Sequence, residues 1–243
     1  MAVSQALGAD APDQLNVNFI SLRIIMKNAL DNQVAYWNGV SSEKNFTHPL
    51  NTEKIKQYIA QDSAILDFGC GYGRIGNELH NLGFTNIVGI DSSEGMIARG
   101  RRAFPYLHLK VFQGNKVPFD ANEFDAVVLF AVLTCIPTNA GQKGLVSELF
   151  RVLRPGGIIY VSDYWLQQNE RNRKRYNEFQ TKFDQYGVFE LPEGAVVRHH
   201  TMDWIKELFA DFHTVDLVDC ELESMNGNKS SCFQLIGRKP ENF

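Results

Sequence analysis

The chain has 243 residues, a formal net charge of −4 and a hydrophobic content of 44%. Its length fits one α/β domain with additions, and its apolar content is ordinary for a folded globule. The mildly acidic balance weighs against a large nucleic-acid substrate, because phosphate binding leaves a basic footprint on a protein. No apolar run in the sequence approaches the roughly 18 residues that a membrane-spanning helix needs.

The N-terminus and the cysteines are those expected of a cytoplasmic protein. Met1 to Asp13 contain no positively charged segment leading into an apolar core, as a secretory signal has. Cys70, Cys135, Cys220 and Cys232 show neither CxxC pairing nor metal-ligand spacing, so we predict no metal site. Cys220 and Cys232 could face each other across a terminal hairpin, but a cytoplasmic protein favours a reduced pair.

The pattern before the first strand is helical. Apolar residues recur at spacings of three and four from Gln14 to Asn38, which predicts a helix that ends with an aromatic pair. A polar loop leads to Thr47-His48-Pro49, and Leu50 to Ala60 predicts a second helix. Two interpretations of residues 14–48 stay open: the aromatic side chains pack the helix onto the core, or the segment forms a lid over a bound ligand.

The next stretch predicts the opening of a nucleotide-binding βαβ unit. Ala64-Ile65-Leu66 indicates a short buried strand that ends at Asp67. Glycines then occupy every second position, at Gly69, Gly71 and Gly73, before a helical pattern begins. They permit a tight turn and let a ligand approach the backbone without meeting a Cβ atom.

A second acidic residue lies where a ribose-binding carboxylate is expected. The strand Asn86 to Ile90 ends at Asp91, about 20 residues beyond the first glycines, and a carboxylate there can accept hydrogen bonds from both ribose hydroxyls. Gly71-x-Gly73-x-x-Gly76 also matches the dinucleotide fingerprint, so a nicotinamide dehydrogenase has to be considered.

Asp67 argues against a dinucleotide. A pyrophosphate needs bare amides and a helix N-terminus, and a carboxylate beside it would repel it. A ligand with an ammonium group and no phosphate would instead be attracted to Asp67. S-adenosylmethionine is such a ligand, so the acidic residue before the glycines favours a methyl donor over a nicotinamide cofactor.

The rest of the chain continues to alternate strands and helices. An almost continuous apolar run is typical of a central parallel strand, and an Asn-Gly turn between two strands indicates a hairpin. Helix caps and Pro-Gly stops set the predicted bounds. The predicted elements are a helix to about Ala103 capped by Ser92 or Ser93, strands at Leu107–Val111 and Phe124–Phe130, a helix at Leu145–Leu153 stopped by Pro155-Gly156-Gly157, a strand at Ile158–Ser162, a helix capped by Thr201, and hairpin strands at Phe212–Leu222 and Ser231–Arg238.

Residues 164–200 depart from a minimal fold of this type. They contain a basic cluster followed by aromatic residues at spacings of three and four: Arg171, Arg173, Lys174 and Arg175, then Tyr176, Phe179, Phe183 and Tyr186. One interpretation is a surface helix whose basic side is solvated and whose aromatic side is packed. The other is a cover over the substrate, for instance an anionic substrate.

Four stretches resemble the class I S-adenosylmethionine-dependent methyltransferases. Asp67-Phe68-Gly69-Cys70-Gly71-Tyr72-Gly73 resembles motif I of that family, and Ile90-Asp91-Ser92-Ser93-x-x-Met96 resembles its ribose and adenine segment. Residues 113–119 with 124–128 resemble the adenine-binding loop and the fourth strand, and residues 149–157 resemble the turn before the fifth strand. The four occur in the family's order and span roughly Asp62 to Asp163.

This resemblance implies a fold, a cofactor and the residues that bind it. The implied α/β fold is a Rossmann-like seven-stranded, mostly parallel sheet with a C-terminal antiparallel hairpin. It forms one domain, 1–243, with an N-terminal helical lid at 14–48 and a substrate-cover insertion at 164–200, after strand 5. The family usually has Asp at the position of Asn115, whose amide oxygen can still accept a hydrogen bond from adenine. The implied cofactor is S-adenosylmethionine, and its implied binding residues are Asp67, Gly69, Gly71, Gly73, Asp91, Ser92, Met96, Asn115, Lys116, Phe130, Tyr36 and Trp37.

The implied reaction is methyl transfer to a small molecule by in-line displacement, with O-, N- and C-methylation all open. Because aromatic residues and an inserted segment form the substrate side, we expect an apolar or aromatic acceptor. His48, His199 and His200 are candidate bases, since the pKa of histidine lies near neutrality. Adjacent side chains on a strand point to opposite faces, so at most one of His199 and His200 is expected in the site.

Two alternatives to this function stay open. One is a methyltransferase that acts on RNA or protein, and the other is a protein that binds S-adenosylmethionine without catalysis. The favoured interpretation predicts a monomer or homodimer with a small-molecule substrate and neither a nucleic-acid nor a membrane partner.

Overall fold

The structure is a computed structural model that describes residues 30–241. Its helices are α1 (Val34–Gly39), α2 (Thr52–Tyr58), α3 (Arg74–Asn81), α4 (Glu94–Ala103), a 3₁₀ turn (Leu133–Cys135), α5 (Asn139–Val152), α6 (Glu170–Phe183) and α7 (Met202–Leu208). Its strands are β1 (Ile65–Phe68), β2 (Ile87–Asp91), β3 (His108–Val111), β4 (Phe124–Phe130), β5 (Leu153–Tyr164), β6 (Val188–Glu190), β7 (Val196–Arg198), β8 (His213–Glu223) and β9 (Lys229–Arg238).

One sheet dominates the described part of the chain. Its strand order is β3-β2-β1-β4-β5-β9-β8, with parallel pairing from β3 to β5 and antiparallel pairing of β9 with β5 and β8. This arrangement confirms the predicted α/β fold with a C-terminal antiparallel hairpin. The strand order reverses at β1 and β4, and a crevice at such a point is where doubly wound sheets bind ligands.

Both faces of the sheet are covered, which explains the apolar run of the central strand. Along β4 every residue is buried except the half-buried Asp125. Val127 and Leu129 belong to the core that includes residues of α5 and α7, whereas Ala126 and Val128 belong to the core on the α2 and α3 side. Since alternate side chains of a strand point to opposite faces, a strand buried on both faces needs apolar residues at almost every position.

The helix predicted from Gln14 to Asn38 lies mostly outside the described residues, and the part within them differs from the prediction. Residues 1–29 lie outside the described residues, and with them most of the predicted helix from Gln14 to Asn38. Within the described residues the helix is interrupted at positions 31–33 before α1 begins. The side chain of Gln33 donates to the carbonyl oxygens of Cys135 and Val196, both at 2.7 Å, and Asp31 accepts from Thr138. These distant contacts replace the local ones that a continuous helix would need.

Two predicted bounds around the fifth strand were wrong. The helix α5 begins at Asn139, well before the predicted Leu145, because Thr138 caps it by accepting from the amide of Gly141 at 2.9 Å. The polar, glycine-containing first turns of α5 carry no apolar periodicity that could have revealed them. The strand β5 extends beyond the predicted residues 158–162 at both ends, with a register shift against β4 at its start.

The segment 164–200 contains a helix and a small hairpin. The helix α6 begins after Asn169, whose side chain accepts from the amide of Asn172 at 2.9 Å. The strands β6 and β7 pair antiparallel in a separate two-stranded sheet that the sequence did not predict. Of the predicted aromatic stripe, Tyr176 is buried and Tyr186 is exposed.

The predicted reduced state of Cys220 and Cys232 was wrong. These residues are paired across β8 and β9, with Cα atoms 4.9 Å apart, and they form a disulfide. Direct cross-strand pairing brings the two side chains together, and the compartment argument alone could not reveal that pairing. Cys70 and Cys135 are free. None of the helices within residues 30–241 is long and apolar enough to cross a membrane.

The disulfide predicts the thiol content of the protein after purification in air. We expect two reactive thiols in guanidinium without a reductant and four after reduction, because Cys220 and Cys232 are bonded. A thiol-specific chromogenic reagent measures the count. The control variant Cys220→Ser should show three thiols in both conditions, and four thiols in the unreduced parent would contradict the pairing.

Candidate functional site

A cavity of about 860 Å³ opens at the carboxyl ends of the parallel strands. The residues at or next to those ends line it, namely Phe68, Asp91, Phe130 and Tyr164. Residues 31–37 and 46–48 line it from the N-terminal side, α6 and the β6–β7 hairpin from another side, and residues 224–230 from the tip of the C-terminal hairpin. Cavities that hold one drug-sized ligand measure about 300–1,000 Å³, so the volume of this cavity is sufficient for a ligand of that size.

The glycine turn after β1 forms one wall of this cavity. The amides of Gly69 and Cys70 both donate to the carbonyl oxygen of Ile90, at 2.8 and 3.0 Å. Gly69 has φ +67°, and a Cβ atom on it would lie 2.4 Å from a methyl group of Val132. Only glycine fits there, which leaves bare backbone facing the cavity.

Asp67 lies at the bottom of the glycine turn. Its side chain is buried, and its Oδ2 accepts from the amide of Gly76 at 3.1 Å. Burial raises the pKa of Asp67 to about 7, although that hydrogen bond and the charge of Arg74 oppose the rise. A cationic ligand beside Asp67 would favour the ionised carboxylate, so the site suits a ligand with a positive charge.

Asp91 connects two backbone segments of the cavity wall. Its Oδ2 accepts from the amide of Gly71 and its Oδ1 from the amide of Ser93, both at 2.8 Å. Burial raises the pKa of Asp91, and hydrogen bonds from the amides of Ser93, Gly71 and Ser92 oppose this. Asp91 also lines the cavity, so the lone pairs that the amides leave free can accept hydrogen bonds from a ligand.

The structure brings most of the predicted cofactor residues together. Nine line the cavity: Tyr36, Trp37, Asp67, Gly69, Asp91, Ser92, Met96, Asn115 and Phe130. Three do not, namely Gly71, Gly73 and Lys116. Gly71 is covered by Phe46, whose ring carbon would lie 2.1 Å from an added Cβ atom, and Gly73 is the left-handed residue before α3. These two glycines shape the turn without facing the cavity.

The segment 38–48 is held against the turn by polar contacts. The side-chain oxygen of Asn38 accepts from Ser93 Oγ at 2.8 Å and from the amide of Gly95 at 3.0 Å. Arg99 donates to the carbonyl oxygens of Ser41 and Lys44. The ring of Phe46 stacks on Tyr72, with centroids 5.3 Å apart. These contacts fix the position of the residues that border the cavity above the glycine turn.

Two of the three predicted histidines line the cavity. His48 is buried, its Nδ1 lies 3.1 Å from Ser162 Oγ, and its Nε2 has no hydrogen-bond partner among the described residues. His199 Nδ1 lies 2.5 Å from the hydroxyl of Tyr176. Both imidazoles pack against the ring of Tyr164, at centroid distances of 4.5 and 5.2 Å. Burial lowers the pKa of His48 to about 3 and that of His199 well below its usual value.

His200 does not line the cavity, unlike its neighbour. Its Nδ1 lies 3.1 Å from the carbonyl oxygen of Tyr164, and its Nε2 lies 3.0 Å from the side chain of Gln142. Gln142 is also bonded to Trp204 and to the carbonyl oxygen of Leu133. Alternation along the strand-like backbone thus sends one histidine into the cavity and the other into a buried network that joins β5 to α5 and α7.

Several cavity residues were not predicted from the sequence. Phe46 lies in a polar loop without periodicity, and Asp31 reaches the cavity only because the N-terminal helix is interrupted. The tip of the C-terminal hairpin contributes Ser224 to Asn226, Asn228 and Ser230; the Asn-Gly turn predicted the hairpin but not that its tip reaches the cavity. Arg171 and Arg175 did carry a signal, since both belong to the basic cluster of α6 and lie one helical turn apart.

The comparisons with known proteins point to one family. Residues 65–157 match the family described as Methyltransferase domain. A demethylmenaquinone methyltransferase of Beutenbergia cavernae is 35% identical over 101 residues, 41% of this chain and 40% of that protein. A sterol 24-C-methyltransferase of Gibberella zeae is 32% identical over 167 residues, 64% of this chain and 41% of that protein. The chain thus spans less than half the length of these two relatives.

A solved structure covers more of the chain. The S-adenosylmethionine-dependent methyltransferase structure from Methanosarcina mazei has a TM-score of 0.73 and 28% identity, and it covers 77% of this chain and 97% of that one. The matched part therefore extends well beyond the glycine turn.

The burial of His200 predicts a pH dependence of stability. Burial lowers the pKa of His200 from 6.5 to about 3, so only the unfolded chain binds this proton as the pH falls through that window. The effect destabilises the fold by up to about 1.4 kcal/mol per pH unit below pH 6.5. We expect the stability difference between the parent and His200→Gln to be constant from pH 8 to 7 and to shrink below pH 6.5. Urea unfolding at each pH measures it, and a constant difference down to pH 5 would contradict the assignment.

Proposed function

The chain belongs to the class I S-adenosylmethionine-dependent methyltransferases, and from this premise we propose that it transfers a methyl group from S-adenosylmethionine to a small molecule. One observation carries the proposal. A single cavity extends from the glycine turn at Asp67 and Gly69 to a chamber under the inserted segment, at His199 and Phe189. A cofactor bound at the first end would point into the second.

The residues at the first end fit S-adenosylmethionine. Asp91 offers carboxylate lone pairs for ribose hydroxyls, and Gly69 presents backbone without a side chain at the cavity wall. Asp67, buried and without a cationic ion-pair partner among residues 30–241, suits the positively charged methionine end. Met96 and Phe112 add apolar surface suited to adenine. When bound, S-adenosylmethionine supplies an electrophilic methyl group on sulfur, whose departure leaves a neutral thioether.

The residues at the second end would hold the acceptor. Phe189, Leu191, Ala195 and Val197 line it with apolar surface, which supports an apolar or aromatic acceptor. The chain contributes mainly by exclusion of water and by orientation of the acceptor, since in-line displacement depends on alignment. We also propose that residues 14–48 act as a lid and that residues 164–200 act as a substrate cover within one domain.

His48 is the strongest candidate for a polar contact with the acceptor. Its Nε2 is buried without a described partner, and its neighbour Ser162 holds the other ring nitrogen. A pKa of about 3 makes His48 a weak base at neutral pH. We therefore propose that His48 orients the acceptor through a hydrogen bond at Nε2, as donor or acceptor. His199, in the same chamber, is the second polar group that could contact the acceptor.

Labelling can distinguish a small-molecule acceptor from the RNA and protein alternatives. The protein is incubated with methyl-tritiated S-adenosylmethionine and a cell extract separated into small-molecule, RNA and protein fractions. We expect label in an organic-extractable small molecule and none in the macromolecular fractions. Label confined to RNA or protein would contradict the proposal, and so would S-adenosylmethionine binding without transfer to any fraction.

Asp91 provides a direct test of the cofactor end. The change Asp91→Ala removes an acceptor for ribose and loosens the amides of Gly71 and Ser93, so we expect affinity for S-adenosylhomocysteine to fall by at least about 2 kcal/mol, roughly thirtyfold. Calorimetry measures the affinity, and circular dichroism verifies the fold. The matched control is Asp211→Ala, an exposed acid away from the cavity, which should bind normally. Unchanged affinity in a folded Asp91→Ala protein would refute the assignment.

A further inference from the structure

Two arginines of the inserted segment reach the acceptor end of the cavity. Arg171 and Arg175 lie one turn apart on α6, and both line the cavity, whereas Arg173 and Lys174 between them do not. The basic cluster is thus divided into a pair that borders the cavity, the exposed Arg171 and the half-buried Arg175, and an exposed pair that does not border it. A helix that merely covered an apolar chamber would have no reason to direct guanidinium groups into it.

Neither guanidinium is neutralised by an acidic side chain among residues 30–241. Arg175 donates to the side-chain oxygen of Asn172, and its Nε is buried without a described partner. Arg171 donates to the side-chain oxygen of Asn228 at 2.8 Å. Both protein partners are neutral amides, so the two positive charges remain uncompensated.

Arg175 is held in place by packing. Its guanidinium carbon lies 3.7 Å from the centre of the Phe189 ring, which fixes the plane of the group at the cavity wall. Partial burial lowers the pKa of Arg175 to about 10, so it is still charged at neutral pH. A half-buried guanidinium that is fixed by packing and has no acidic partner is stabilised when an anion binds beside it.

The acids that line the cavity are committed elsewhere. Asp67 and Asp91 lie at the glycine turn, and Asp31 accepts from Thr138. Glu193, the acid on the β6–β7 side, pairs with Lys44 at 3.0 Å. Arg171 and Arg175 line the same cavity as His199. Burial lowers the pKa of His199, and the charges of the two arginines add to that effect.

We propose that Arg171 and Arg175 bind an oxyanion, a carboxylate or phosphate, carried by an apolar or aromatic methyl acceptor. The planar guanidinium fork matches the two oxygens of such a group. The anionic end of the acceptor then lies at α6, and its apolar body lies against Phe189 and Tyr164. This inference rests on the proposed function, because it names the class of acceptor that the same cavity takes.

The test uses the full chain saturated with S-adenosylhomocysteine and three probes of similar shape. These are 3-phenylpropanoate, 2-phenylethyl phosphate and the neutral 3-phenylpropanamide, each titrated by calorimetry. We expect at least one of the two anions to bind roughly tenfold or more tightly than the amide, because charge-assisted hydrogen bonds to a partly buried guanidinium are lost with the amide. Which anion binds identifies the source of the oxyanion.

Variants assign the effect to the two arginines. Arg175→Gln and Arg171→Gln should each weaken the anion roughly tenfold and leave the amide unchanged, whereas the matched control Arg173→Gln on the same helix should behave like the parent. Normal affinity for S-adenosylhomocysteine shows that each variant is folded. If the parent binds S-adenosylhomocysteine but binds neither anion better than the amide, the oxyanion inference fails and the proposed function stands. The same holds if Arg173→Gln weakens anion binding as much as Arg171→Gln and Arg175→Gln do. Failure of the parent to bind S-adenosylhomocysteine would overturn the proposed function.

Discussion

The geometry of the cavity wall depends on the hydrogen bonds that the carboxylate of Asp91 accepts. One oxygen holds the amide of Gly71 in the glycine turn, and the other holds the amide of Ser93 at the start of α4. Ser93 in turn donates to Asn38 in the segment that borders the cavity from above. A single side chain at the end of a buried strand therefore connects the strand, the glycine turn and the overlying segment. The partial burial of that carboxylate is tolerated because backbone amides donate hydrogen bonds to it.

Charge is divided between the two ends of the cavity. The glycine turn contributes the buried carboxyl group of Asp67 and the half-buried one of Asp91, while α6 contributes Arg171 and Arg175, which have no acidic partner within residues 30–241. In a cavity partly removed from water, such a separation favours a cation at one end and an anion at the other. A positively charged methyl donor and an anionic acceptor would match this arrangement, and the apolar surface around Phe189 would lie between them.

The sequence predicted those parts that depend on local chemistry. The apolar run of β4, the glycine turn and Asp91 follow from strand burial and backbone freedom, and the structure has all three where they were expected. The parts that were missed depend on long-range contacts. Gln33 interrupts the N-terminal helix by bonds to residues far along the chain, and the disulfide of Cys220 follows from strand register. The sequence indicated that the two cysteines could face each other across a hairpin, but local pattern gives neither their bonding nor the partners of Gln33.

Parallel calorimetric titration with S-adenosylhomocysteine, S-adenosylmethionine and NAD is the decisive measurement of which cofactor the cavity binds. The acidic glycine turn should bind a cationic nucleoside rather than a dinucleotide, because Asp67 is buried beside the position where a pyrophosphate would lie. We expect micromolar binding of the first two ligands and no binding of NAD. Binding of NAD alone would contradict this expectation and would make Gly71-x-Gly73-x-x-Gly76 a dinucleotide fingerprint.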